Sequence, residues 1–102
     1  MFPDTKKVRK ALVGLALEES LLEIGSSKLL HEVFRMLYEK YHCYLPDCYD
    51  HPEYLRGILT ELDSGTCDVF LESLDEKLDE FAYQKPIGEF LVKISKIKCK
   101  VG

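Results

Sequence analysis

From His42 to Pro52 the chain reads HCYLPDCYDHP, eleven residues that hold two histidines, two cysteines and two aspartates. Thiolate and imidazole are the ligands zinc prefers. Cys48 and His51 stand at a C-x2-H spacing, and Cys43 with a carboxylate from Asp47 or Asp50 would complete a tetrahedral set. Cys48 and His51 can also be drawn as a thiol nucleophile and its base. The spacing tells against both readings. Cys43 and Cys48 have four residues between them, at the edge of the usual ligand interval. His42 adjoins Cys43, so the two cannot easily turn toward one ion, and the chain has no second ligand pair at knuckle spacing. Nothing marks an oxyanion hole or a third, orienting group, and no glycine-rich loop is present to cradle a phosphate. The expectation is therefore no catalytic residue, no cofactor and no enzyme, with Cys43, Cys48 and His51 the metal candidates of last resort.

A connector between helices accounts for more of these residues. Leu45 precedes Pro46 and is pushed away from helical angles. Asp50 is expected to cap a helix begun by Pro52, since proline suits a first turn, where its missing donor is not needed. Cys43 or Cys48 would fill gaps beneath the loop as small apolar groups. Tyr44 and Tyr49 would lie over the edge of the core with their hydroxyls in water.

The elements that must position this stretch are helical, since alternating apolar and polar residues are nowhere sustained. A first helix is predicted from about Thr5 to Ile24, with Asp4 as its cap and Gly25 as its stop. It has two apolar faces: Val8, Ala11, Leu12, Leu15 and Leu22 on one, and Val13, Leu17, Leu21 and Ile24 nearly opposite. Such a helix is central in a bundle or docked on a second chain, and Val13, Leu17, Leu21 and Ile24 are assigned as the partner interface. A second helix follows the Ser26-Ser27 cap and reaches about His42, its stripe running from Leu29 to Tyr41, with His31 on the solvated side. The third runs from about Pro52 to Leu62, followed by an Asp63-Ser64-Gly65 turn. The fourth runs from about Thr66 to Ala82 with six acidic residues opposite its apolar stripe, where Cys67 reads as inert core. The fifth runs from Pro86 to about Cys99 on Ile87, Phe90, Leu91, Ile94 and Ile97. The fold class is all-α, a bundle of about five helices forming one domain over residues 1–102.

At 102 residues and 46% hydrophobic content, one core can form without metal or disulfide help. No apolar run approaches the roughly 18–20 residues of a membrane span. No export signal is read at the start, so the four cysteines are expected as reduced thiols and the location as cytoplasmic. A net charge of −4 argues against binding nucleic acid over the whole surface. The basic groups are nonetheless segregated: Lys6, Lys7, Arg9 and Lys10 open the chain, and Lys93, Lys96, Lys98 and Lys100 close it. If the ends meet, they form a patch able to hold phosphates, although no aromatic residue among them offers a stacking surface.

The run DCYDHPEYLRGIL, Asp47 to Leu59, resembles a signature of small helical domains of ammonia-oxidising archaea, the Nitrosopumilus-type output domain. ALEESL (Ala16 to Leu21) and LYEKYHC (Leu37 to Cys43) are similar in order, and the resemblance spans about Leu12 to Leu78. Where such domains often carry a Phe-Gly step, this chain has Leu62-Asp63-Ser64-Gly65. The resemblance implies an output or adaptor role in signalling and transfers no catalytic residue. The leading expectation is a non-enzymatic interaction module that binds a protein partner or a second copy of itself. Nucleic-acid binding through the basic ends is the alternative, and a small zinc domain through His42–His51 comes after it.

Overall fold

The computed structural model describes residues 5–99, and all regular structure among them is helical. The elements are α1 (Thr5–Tyr41), a 3-10 turn (Leu45–Tyr49), α2 (Pro52–Leu59), α3 (Ser64–Asp79) and α4 (Lys85–Ser95). Four α-helices thus stand where five were expected. The reason lies in α1, which is not one rod. Straight, its 37 residues would span about 55 Å, more than the 47 Å longest dimension of the molecule. Gly25 (φ −134°, ψ 17°) and Ser26 (φ 57°, ψ −167°) leave helical geometry and separate a limb of residues 5–24 from one of 27–41. The predicted first and second helices are these limbs, joined by a break of two residues. Residues at similar distances from the break, Leu15 and Arg35 among them, line one shared groove, so the limbs run antiparallel as a hairpin.

One hydrophobic cluster holds the helices together. Val13, Leu17 and Leu21 of the first limb meet Leu30, Val33 and Leu37 of the second, with Leu55, Ile58 and Leu59 of α2. Phe70, Leu74 and Leu78 recur along α3 at helical spacing, and Ile87, Phe90, Leu91 and Ile94 do so along α4. Asp68, Glu72, Asp75, Glu76, Asp79 and Glu80 all face solvent on the other side of α3.

This packing corrects the assigned interface. Val13, Leu17 and Leu21 are buried within the chain, and Ile24 is half-buried against the same core. The face is taken because α3 lies along it: Ser73 Oγ is 3.1 Å from the buried Ser20 Oγ, and Lys77 Nζ reaches Glu23 Oε1 at 2.6 Å. A partner has no access there. The opposite face, with Val8, Leu15 and Leu22, is the exposed one.

Several boundaries shift for local reasons. Asp63 is the N-cap of α3, not a turn residue, because its carboxylate accepts the Thr66 N–H at 3.0 Å and the Thr66 hydroxyl at 2.6 Å. His51 precedes α2 with no side-chain cap, while Asp50, the expected cap, faces lysines instead. Pro52 opens α2 as expected, and Pro86 stands in the first turn of α4, which starts one residue earlier at Lys85. Asp4 lies outside the described residues.

The largest correction concerns the cysteines. α4 ends at Ser95, and the following segment carries Cys99 back to α3, where it forms a disulfide with Cys67. Only Cys43 and Cys48 are free. Four reduced thiols and an inert Cys67 are therefore not what the fold contains. No helix among the described residues is long and apolar enough to cross a membrane.

A bond closing a loop of 32 residues restricts the unfolded chain by about 3–4 kcal/mol. Reductant should accordingly lower the urea midpoint by an amount equivalent to about 3 kcal/mol. Thiol titration of the unfolded protein should find the two free cysteines before reduction and all four after it. Equal stability with and without reductant would contradict this account.

Candidate functional site

The HCYLPDCYDHP stretch folds as the junction between α1 and α2, and each residue type in it meets a local demand. His42 takes φ 53°, the left-handed geometry that ends a helix, and donates its N–H to Tyr38 O at 3.0 Å. Cys43, Leu45 and Cys48 are buried pegs beneath the turn. Asp47 Oδ2 accepts the Tyr44 N–H at 2.9 Å and so closes the 3-10 turn from within. Pro46 rests on α1 at Gly14, where an added Cβ would stand 2.9 Å from Pro46 Cγ and 3.3 Å from its Cα. Only glycine lets the turn come so near. Tyr44 is exposed, and Tyr49 is half-buried against Phe90.

Ionic contacts fasten the junction to the start of α1. Lys10 Nζ lies 3.0 Å from Asp47 Oδ1 and 3.1 Å from Asp50 Oδ2, and Lys6 Nζ is 3.5 Å from Asp50 Oδ1. The Tyr44 amide and then Lys10 hold the Asp47 carboxyl below the usual carboxylate range, and Lys10 does the same for Asp50. Lys10 is raised in turn, first by its hydrogen bond to Asp47.

The metal candidates are not assembled. Cys43 and Cys48 face the core, whereas His51 is exposed, hydrogen-bonds Glu53 Oε1 at 3.1 Å and stacks on Tyr54 with ring centroids 4.6 Å apart. Among the described residues no three His, Cys, Asp or Glu side chains are placed to share an ion. Burial pushes the Cys48 thiol up to about 12, and the Cys43 thiol is raised for the same reason. Neither is a thiolate at neutral pH, which removes the nucleophile from the Cys48–His51 pairing.

Asp50 links the two basic segments. Asp50, already bound by Lys6 and Lys10, also lines a recess of about 360 Å³ with Glu53, Arg56, Lys93 and Lys96. Three carboxylates, Asp47, Asp50 and Glu53, offset the cations gathered there. Lys7 is exposed, and Arg9 is half-buried with no hydrogen-bond partner for its Nε among the described residues. Lys100 lies outside the described residues.

The feature that sequence reasoning missed is on the outer face of the α1 hairpin. Ala11, Gly14, Leu45 and Pro46 floor a groove of about 760 Å³, and Leu15, Phe34, Tyr38 and Tyr44 form its apolar walls. Glu18 of the first limb and Arg35 of the second also line it. Its signal was visible as the face with Val8, Ala11, Leu15 and Leu22, where Glu18 interrupts the apolar run. Periodicity alone did not show which of two apolar faces the core would take.

No family model, curated protein or solved structure matches this chain, so its own geometry carries the functional reading.

The junction makes a prediction about acid. Carboxylates lowered in the folded state contribute stability above their unfolded value of about 3.9 and lose it as pH falls through their folded values. The urea midpoint should thus be level from pH 7 to about 5 and fall below about pH 4. Lys10→Met should cost on the order of 1 kcal/mol at neutral pH, a modest figure because the pairs are partly exposed. It should also flatten the acid decline, leaving the share owed to the Tyr44 amide at Asp47, to Lys6 at Asp50, and to Glu23, Glu53 and Asp63. An unchanged acid profile in that variant would show that the lysine does not hold the junction.

Proposed function

We propose that this chain is a non-enzymatic helical interaction module, an adaptor or output element that binds a protein on the outer face of its α1 hairpin. The observation that carries the reading is the apolar groove between the limbs. Val8, Leu15, Leu22, Phe34, Tyr38 and Tyr44 expose 37–69% of their surfaces on this hairpin and the turn that follows it. Taking about 150–250 Å² for a large side chain, they leave on the order of 500 Å² of apolar surface in water. That reaches the upper part of the range for the largest patch on a monomer, roughly 300–600 Å². Aromatic walls around a small-residue floor suit the apolar side of a partner helix.

A nucleic-acid role would rest on the recess at Asp50, where carboxylates stand among the cations. The groove is lined mainly by apolar side chains and supports the protein-binding reading better.

A photo-crosslinking residue at Leu15, expressed in the native cell, should give discrete protein adducts. The same residue at Glu72, on the acidic outer side of α3, should give none. No adduct from Leu15, or equal labelling from both positions, would remove the proposal.

A further inference from the structure

Val8, Ala11, Leu15, Glu18 and Leu22 recur at alternating intervals of three and four residues along the first limb. This is the seam spacing by which one helix packs along another. Val8, Leu15 and Leu22 are open to solvent, while the opposite face of the same limb is filled by the chain's own core. We infer that the occupant of the groove is a second copy of this chain, packed hairpin to hairpin about a two-fold axis that runs along the groove between the limbs. The inference rests on the interaction-module reading and names its partner.

Area and charge argue for this occupant. The six exposed side chains alone supply more than half of the roughly 800 Å² that each partner buries in a standard interface. Glu18 and Arg35 line the groove from opposite limbs. No ion pair joins either of them to another described residue. An acidic and a basic side chain on one surface form a self-complementary set. A two-fold rotation brings Glu18 of each copy to Arg35 of the other, giving two equivalent pairs. A single polar residue in an apolar seam also selects register, because a slipped pairing leaves it facing hydrocarbon. In the symmetric pair, the exposed Tyr38 ring of each copy covers the Ala11–Gly14 floor of the other.

Sedimentation of the purified, oxidised chain across a concentration series tests this, with circular dichroism confirming that each variant stays helical. The expected result is a monomer–dimer equilibrium. Glu18→Arg or Arg35→Glu alone should weaken it by about tenfold or more, because each places like charges opposite one another at both pairs. The double variant E18R/R35E should recover most of the lost affinity. A chain that stays monomeric up to roughly 1 mM, or a dimer indifferent to Tyr38→Glu and to both charge reversals, would overturn the inference. A monomer that still crosslinks from Leu15 to a different protein would overturn the second copy and leave the interaction module standing. A monomer without such adducts would remove both.

Discussion

Pro46 lies against the α1 backbone at Gly14, nearer than any residue with a Cβ would permit, and much of the molecule follows from that contact. It brings the end of the second limb back over the first, so the hairpin is closed at its open end as well as at Gly25–Ser26. It sets the floor of the outer groove, where Gly14 and Pro46 lie side by side. With Pro46 in place, Asp47 and Asp50 come within reach of Lys10, and Cys48 is pressed into the core. Steric closeness comes first in this arrangement, and the ion pairs hold what it has positioned.

The chemical density of HCYLPDCYDHP is thus the density of a tight corner. A chain that leaves a helix, makes one short turn and enters another must satisfy its freed backbone groups within a few residues. Short carboxylates do this well because they accept from neighbouring amides, as Asp47 does from Tyr44. Cysteines fit the space beneath because they are small and apolar when protonated, and His42 supplies a left-handed residue. The side chains of a reactive site and those of a crowded turn overlap in type. Direction separates them: here the thiols point inward and the His51 imidazole outward.

The helices were legible because their apolar residues recur at helical intervals and because Pro52 and Pro86 mark two starts plainly. The break near Gly25 was legible as a stop but not as a fold-back, since the geometry of Ser26 has no residue-type signature. Asp63 reads from sequence as part of a turn because turns and N-caps draw on the same residues. Both apolar faces of the first limb carry valine and leucine, so only the position of α3 decides which is inside. The Cys67–Cys99 bond was hidden for a different reason. It depends on α4 ending at Ser95 and on the next residues crossing to α3, a long-range placement that local periodicity does not encode.

That bond also shapes how the molecule would carry mechanical load. A pull applied at the two ends enters through α1 on one side and through the residues after Cys99 on the other. The second path crosses directly to Cys67, so α4 and nearly all of α3 lie outside the line of force. On the order of 110 Å of potential extension, at about 3.3–3.6 Å per residue, stays locked in the loop of 32 residues. The α1 hairpin, the corner at Pro46 and α2 bear the tension instead.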